Sequence, residues 1–175
     1  MPSLLSPQSL ANAEIKVIPP PNWQPSPYNN STVMAWFQNS TKSIFATIKI
    51  SEITFPLFFI GPIMAQFFAD KDVLESTDQI SFGRSNYGYM YFLNLSLNST
   101  ILNFTSNPTQ ESNFLSVIPK RTEIPMKMML ILTQKQDDLY AIIFLNAKEN
   151  FDSMLNEIKP TLDSIQLSNS TSILS

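Results

Sequence analysis

PMKMMLILTQKQDDLYAIIFLNAKENFDSMLNEIKPTLDSIQL, residues 125–167, decides the fold of this chain because it contains two strands, the turn between them and a helix. Residues 126–133 carry apolar side chains on both faces, residues 134–138 are polar, and residues 139–146 are almost entirely apolar. Strands that are apolar on both faces are typical of the centre of a sheet that is covered on both sides. The stretch therefore predicts a central hairpin between two layers.

A helix that begins at Asn146 or Ala147 follows this hairpin. Pro160 has no amide hydrogen to donate, so we expect a kink at that residue or a restart of the helix near Thr161. The apolar positions lie three and four residues apart, as in a helix that buries one face, and they are Phe151, Met154, Leu155, Ile158, Leu162 and Ile165.

The earlier part of the chain contains further strand patterns. Alternation of polar and apolar residues predicts strands at 14–18, 33–38, 43–51, 79–83 and 88–97, with shorter ones at 100–105 and 114–118. Residues 24–32 are polar and predict a loop. With a second helix placed between residues 51 and 79, the order of strands and helices predicts an α+β fold, an antiparallel sheet flanked by helices.

The uncharged run at residues 53–69 raises the question of a membrane span. At 17 residues it lies at the lower limit of length for a helix that crosses a bilayer, and two prolines and Gly61 interrupt it. We therefore predict no transmembrane segment, but a helix from about Ile63 to Leu74 with Pro62 in its first turn. Its apolar residues follow helical spacing and are expected to bury against the sheet, and they are Ile63, Met64, Phe67, Phe68 and Leu74. Before it we predict an aromatic loop packed by Phe55, Leu57, Phe58 and Phe59.

Charge and composition exclude several classes of function. The 175 residues include 11 Lys or Arg and 14 Asp or Glu, for a net charge of −3, and they include no His and no Cys. A nucleic acid is not an expected partner because no basic cluster is present to neutralise phosphates. The chain also lacks the commonest zinc ligands, a thiol nucleophile and the His of a Ser-His-Asp triad. We expect a protein that is not an enzyme and has no cofactor.

The domain organisation predicted from the sequence is a single domain at residues 14–167 with a flexible polar tail at 168–175. Residues 1–13 end in Ala-Asn-Ala, the small-x-small form of a signal-peptidase site, and are either a leader remnant or an ordinary flexible N-terminus. Seven Asn-x-Ser/Thr sequons are consistent with export, although a chain rich in these residues also produces them by chance. They start at Asn29, Asn30, Asn39, Asn94, Asn98, Asn103 and Asn169, of which Asn39, Asn94, Asn98 and Asn103 are the candidate glycosylation sites.

The two ends of the chain resemble the PsbP family of extrinsic photosystem II proteins and their non-photosynthetic relatives. The resemblance lies in residues 17–23 (VIPPPNW), 139–144 (LYAIIF), 147–151 (AKENF) and 162–167 (LDSIQL), about a third of the chain, whereas residues 55–68 depart from it. It implies an α/β/α sandwich, an extracytoplasmic location and docking onto a membrane-bound assembly. A long, Asn-rich and Cys-free exported version of such a domain indicates an archaeal source. The metal binding of the family is not implied, because no ligand residue matches.

Two hypotheses of function follow from the sequence. In the first, an exported accessory domain binds a protein or membrane complex through Phe55, Leu57, Phe58 and Phe59. In the second, a pocket near a stripe of tyrosines carries a small apolar ligand or a metal ion, although such a stripe is also typical of a sheet face under a helix. The candidate pocket residues are Arg84, Tyr87, Tyr89 and Tyr91. The oligomeric state stays open.

The acidic cluster after the first predicted helix has a plainer interpretation than a metal site. Its spacing fits no calcium-binding loop, since calcium takes six to eight oxygen ligands and usually a loop that contains glycine. We predict a solvated helix end formed by Asp70, Asp72, Glu75 and Asp78.

Overall fold

The computed structural model describes residues 15–50, 53, 55–98 and 123–167. The helices in these residues are α1 (Leu57–Asp70) and α2 (Phe151–Asp163), and a 3-10 turn at Lys148–Asn150 precedes α2. The strands are β1 (Ile15–Lys16), β2 (Gln24–Pro25), β3 (Val33–Gln38), β4 (Ser43–Ile50), β5 (Leu74–Phe82), β6 (Asn86–Asn98), β7 (Glu123–Lys135), β8 (Asp138–Ala147) and β9 (Gln166–Leu167).

Seven of these strands form one antiparallel sheet in the order β2-β3-β4-β8-β7-β6-β5, and β1 pairs with β9 separately. Neighbours in the large sheet are consecutive in the chain except for β4 and β8. α1 connects β4 to β5 at the sheet edge, and α2 follows β8. The predicted α+β fold, an antiparallel sheet flanked by helices, is confirmed.

One face of the sheet carries a row of large side chains that α2 covers. Phe151, the first residue of α2, places its ring centroid 5.2 Å from that of Phe144 and 6.0 Å from that of Phe92. Full burial of such a side chain contributes about 1.5–3 kcal/mol. The row crosses five neighbouring strands as Trp36, Phe45, Phe144, Met129 and Phe92.

The opposite face carries a second apolar core, which α1 covers. Leu57 at the start of α1 is buried in it, and Ile60, Met64 and Phe68 are partly buried against it. Because β7 and β8 lie between the two cores, both of their faces are apolar, as the sequence predicts. The buried sheet residues of this core are Tyr91, Leu93, Leu132, Leu139 and Ala141.

The N-terminal strand and turn close the first core beside α2. Ile15 is buried and pairs with Leu167, so the two ends of the described chain meet. Trp23 is buried as well, with its ring centroid 6.5 Å from that of Phe144. The turn that delivers it is held by the Trp23 amide, which donates to the Pro20 carbonyl at 3.3 Å.

The first helix differs from its predicted bounds. α1 begins at Leu57, so the predicted aromatic loop is largely the first turn of the helix, and Pro62 lies in its interior. The start is set at Pro56, whose carbonyl accepts the Phe59 amide at 3.0 Å. The helix ends at Asp70 because Asp72 adopts a positive φ of 57° and turns the chain. Leu74, predicted as the last helical residue, instead begins β5.

The other predicted elements are close to the observed ones. α2 buries the predicted face, but it continues through Pro160 to Asp163 without a restart at Thr161. β5 begins five residues before the predicted strand at 79–83, and β2 lies within the predicted polar loop. The predicted strands at 100–105 and 114–118, residues 1–13 and the tail at 168–175 lie outside the described residues. Within the described part of the chain, no helix combines the length and apolar character needed to cross a membrane.

Candidate interaction surface

Large apolar side chains lie exposed on and beside α1. Each of them is between 50% and 67% exposed, although side chains of this type are usually found in a core. Rings of adjacent residues contact each other, since the centroids of Phe58 and Phe59 are 4.0 Å apart. We call this set the α1 aromatic surface, and it consists of Phe55, Phe58, Phe59, Ile63 and Phe67.

This surface exists because α1 is apolar on nearly every side. Its sequence LFFIGPIMAQFFAD contains one amide and one carboxylate, and of its residues only Leu57 and Gly61 are buried. A helix that is apolar all round is normally covered all round. In the described part of the chain, α1 is covered on one side only, so its outer side chains do not belong to the core of the domain.

The predicted contact residues are only partly found on this surface. Phe55, Phe58 and Phe59 are exposed, whereas Leu57 is 8% exposed and packs in the second core. Leu57 is therefore corrected from a contact residue to a core residue. Ile63 and Phe67 were missed, because the sequence assigned both of them to the side of a helix that packs on the sheet.

Charged groups occur at one end of the surface. Asp70 is the last residue of α1, and Lys71 and Asp72 follow it. The Lys71 ammonium lies 5.8 Å from the centroid of the Phe67 ring. Such a cation over a ring face is worth about 0.5–1 kcal/mol at an exposed site. The rest of the surface is electrostatically neutral.

Two of the three tyrosines in the stripe, Tyr89 and Tyr91, lie under α1 as the plainer of its two interpretations predicts, whereas Tyr87 is exposed. Tyr91 is fully buried, and its hydroxyl donates to the Gly61 carbonyl at 2.7 Å. The Tyr91 ring also meets Phe68 edge to face, with centroids 5.5 Å apart. Burial, with a smaller effect of the neighbouring Tyr89 hydroxyl, raises the pKa of Tyr91 to about 12. This hydroxyl is a structural donor to the helix.

Tyr89 sets how closely α1 approaches the sheet. A Cβ atom added to Gly61 would lie 2.6 Å from atoms of the Tyr89 ring, so this position accommodates only glycine without a shift. Tyr87, at the exposed end of the stripe, meets Tyr89 edge to face at 6.1 Å. Burial against its surroundings, with a contribution from Tyr89, raises the pKa of Tyr87.

An open groove of about 570 Å³ lies between α1 and β5. Of the four predicted pocket residues, Tyr89 alone lines this groove. Tyr91 is buried under the helix, and Arg84 is exposed in the turn between β5 and β6. The structure therefore does not bring the predicted set into one pocket. The groove residues are Gly61, Pro62, Ala65, Gln66, Ala69, Leu74, Thr77, Asp78, Gln79 and Tyr89.

The acidic cluster is distributed over separate contacts. Asp70 accepts a hydrogen bond from the Gln66 amide at 2.7 Å, while Glu75 pairs with the Lys127 ammonium at 2.9 Å. The hydrogen bond from Lys127 holds the pKa of Glu75 below its usual value. Among the described residues, no three side chains of Asp, Glu, His or Cys are grouped so as to hold a metal ion.

The candidate glycosylation sites differ in accessibility. Asn39 is exposed in the turn between β3 and β4. Asn94 lies within β6, where its amide oxygen is buried and its side chain donates a hydrogen bond to Glu75, so a glycan on its amide nitrogen has little room. Among the other sequons, the Asn29 side chain bonds both backbone groups of Ala35. The Asn98 side chain and Asn103 lie outside the described part of the structure.

Comparisons with known proteins found similarity in structure alone. No family model matches the chain, and no curated protein matches it. A protein from Bacteroides thetaiotaomicron aligns over 90% of this chain with a TM-score of 0.51 and 7% identity, and the chain spans 46% of that protein. A putative regulator of unknown function from Pseudomonas aeruginosa gives a TM-score of 0.50 and 6% identity, with 94% of this chain and 90% of that protein aligned.

Cyanobacterial PsbP from Synechocystis is also similar in structure, with a TM-score of 0.48 and 8% identity over 94% of this chain and 98% of that protein. The Ran-binding protein Mog1p of Saccharomyces cerevisiae gives the same TM-score at 7% identity, over 90% of this chain and 92% of Mog1p. The resemblance to the PsbP family stated from the two ends of the chain is accompanied by this low structural similarity and by no match in sequence. Likeness at these identities concerns the fold and not the function.

Proposed function

We propose that this protein is a non-enzymatic accessory domain that binds a protein of a membrane-bound or cell-surface complex through the α1 aromatic surface. The observation that carries this proposal is the exposure, at 50% or more, of four phenylalanines and Ile63 on one surface. Centres of protein interfaces are rich in aromatic side chains and poor in charged ones, which is the composition of this surface. Burial of these apolar side chains against a partner is therefore more favourable than their exposure to water.

The arrangement of the surface also supports a role in binding. Four of its five side chains lie on one helix whose inner side is anchored by Leu57 and by the Tyr91 hydroxyl bond to Gly61. A rigid helix loses little conformational entropy when it binds, so more of the energy from apolar burial contributes to affinity. The Phe58 and Phe59 rings already contact each other and could enter a partner pocket together.

An exported location is part of this proposal. The exposed sequon at Asn39 supports it, because the turn between β3 and β4 could carry a glycan without loss of a strand hydrogen bond. Mass spectrometry of the protein from its native cells tests this point. A glycan at Asn39 is the expected result, and recovery of the protein from the cytoplasmic fraction alone would contradict export.

Photo-cross-linking tests the binding surface. The reactive residue p-benzoylphenylalanine is placed at position 59 in one protein and at position 156, on the outer side of α2, in a control protein. Each is irradiated with the membrane fraction of the native organism. We expect one protein adduct from position 59 and none from position 156, and we expect excess wild-type protein to compete with the adduct.

A matched pair of variants makes this test specific. Phe58→Ser, Phe59→Ser and Ile63→Ser together should abolish competition, whereas Asn156→Ser, Glu157→Ser and Lys159→Ser on α2 should leave it intact. Exposed substitutions change the free energy of unfolding by about 0.5 kcal/mol or less each, so both variants should remain folded. Equal adducts from both positions, adducts with lipid only, or undiminished competition by the α1 variant would each overturn the proposal.

A further inference from the structure

The two edges of the large sheet are built differently. β2, at one edge, is two residues long and contains Pro25, and both features prevent further strand pairing. β5, at the other edge, is nine residues long and contains no proline. Its pairing with β6 is irregular only between Leu74 and Ser76. Among the described residues, no strand pairs with the outer edge of β5.

A groove runs along this unpaired edge of β5, on the face of the sheet that α1 covers. Small residues of α1 at four-residue spacing, Gly61, Ala65 and Ala69, form one wall, while Thr77 and Gln79 of β5 line the other. Side chains of an added strand alternate between the two faces of a sheet. The groove of about 570 Å³ therefore offers space for every second side chain of a strand placed beside β5.

The charges around this edge are predominantly negative. Asp70 and Asp72 are exposed at the end of α1, and Asp78 is exposed on β5 and lines the groove. No ion pair joins any of these three carboxylates to a cation of the described residues, whereas Glu75 is already paired with Lys127. Lys71, between the first two, lies over the Phe67 ring on the α1 aromatic surface. Complementary charge on a ligand would be positive.

We infer that the β5 edge and its groove bind an extended peptide segment of a partner, in which apolar side chains alternate with Lys or Arg. Backbone pairing with β5 would supply affinity, and the groove and the carboxylates would select the side chains, as in other complexes formed by strand addition. Residues 1–14 and 168–175 do not fit this description because they contain no Lys or Arg, and residues 99–122 contain them only as the adjacent pair Lys120 and Arg121. The site is separate from the α1 aromatic surface and does not depend on the function proposed for it.

Peptide selection tests the inference. A phage library of random peptides is selected on the wild-type protein after depletion on the Asp70→Lys, Asp78→Lys double variant. We expect selected sequences that alternate apolar residues with Lys or Arg, and we expect amide NMR signals of Ser76–Phe82 to shift when a selected peptide is added. The double variant should weaken the binding of that peptide by about tenfold or more.

Two further variants separate this site from its neighbours. Ala69→Leu fills the groove at an exposed helical position and should also weaken binding about tenfold, since apolar side chains of the peptide lose their space. Phe59→Ser, on the α1 aromatic surface, should leave peptide affinity unchanged. The inference would be overturned by a selection that enriches no peptide or peptides without Lys or Arg, by NMR shifts that leave β5 and the groove unaffected, or by an equal effect of Phe59→Ser. It would also be overturned if hydrogen exchange showed every β5 amide protected in the free protein.

Discussion

α1 and α2 cover opposite faces of one sheet, have nearly equal lengths and each contain an internal proline, yet their outer sides differ completely. α2 exposes only Pro160 and polar residues such as Asp152, Glu157 and Lys159, while α1 exposes phenylalanines and Ile63. The inner side of α2 buries four residues, and that of α1 buries two. Every residue type on α2 is explained by the need to cover a core and face water. The outer residues of α1 have no such explanation within the described domain.

The largest expected effect comes from making the same substitution in both helices. Ile158 of α2 is fully buried, whereas Ile63 of α1 is 66% exposed. Ile158→Ala should lower the free energy of unfolding by about 2–5 kcal/mol, because it removes buried methyl groups and leaves a cavity. Ile63→Ala should change it by about 0.5 kcal/mol or less, since an exposed helical site favours alanine. Urea unfolding followed by tryptophan fluorescence measures both.

The free energies of unfolding of these two variants test whether the outer sides of α1 and α2 differ as described. A loss of more than about 2 kcal/mol in Ile63→Ala would mean that the outer side of α1 is covered within the chain itself. The α1 aromatic surface would then be part of the core and not a site for a partner. The Ile158→Ala value serves as the internal scale, because the same atoms are removed from a helix of similar length.

The contrast between the helices also explains which parts of the fold could be predicted. The face of α2 was predicted correctly because its apolar residues alternate with charged ones at helical spacing, and this contrast fixes which side is buried. The central β7–β8 hairpin was predicted because Lys135, Gln136 and Asp137 separate two apolar runs. The second partner of β8, the strand β4, was not predicted, since this pairing joins residues distant in sequence.

α1 and its surface were harder to predict for the same physical reason. An almost uniformly apolar helix gives no polar side from which its orientation follows, so Leu57 was assigned to the contact surface and Ile63 and Phe67 to the core. Pro62 added to the error, because proline usually marks the first turn of a helix and here lies in its interior. The close contact between Gly61 and the Tyr89 ring shows which side of α1 faces the sheet.

Gly61→Ala tests this approach and should have the next largest effect. In the middle of an ordinary helix, replacing glycine by alanine stabilises by up to about 1 kcal/mol. In α1 the new methyl group would lie 2.6 Å from the Tyr89 ring, so we expect a loss of about 1–3 kcal/mol instead. The double variant with Tyr89→Ala should recover part of this loss. A stabilised Gly61→Ala protein would show that α1 packs less closely than described.

Tyr91→Phe should have a smaller effect at neutral pH than Ile158→Ala and, of the variants considered, the most informative dependence on pH. The variant loses one hydrogen bond to Gly61, which costs about 1 kcal/mol. The Tyr91 pKa is raised to about 12, above its value of about 10 in an unfolded chain. The folded state therefore keeps a proton that the unfolded state releases, so this contribution is complete below about pH 10 and is lost as the pH rises toward 12.

The Tyr91→Phe variant has no hydroxyl to ionise at this position. Between about pH 10 and pH 12, the free energy of unfolding of the wild type should therefore fall relative to that of the variant, by up to about 1.4 kcal/mol per pH unit. Unfolding in urea at several pH values measures the difference. Tyr28→Phe, at an exposed tyrosine, is the matched control and should change stability by about 0.5 kcal/mol or less at neutral pH. A difference between Tyr91→Phe and wild type that stays constant with pH would mean that the hydroxyl reaches water. α1 would then be held by its apolar contacts alone, and its anchor to the sheet would be weaker than that of α2.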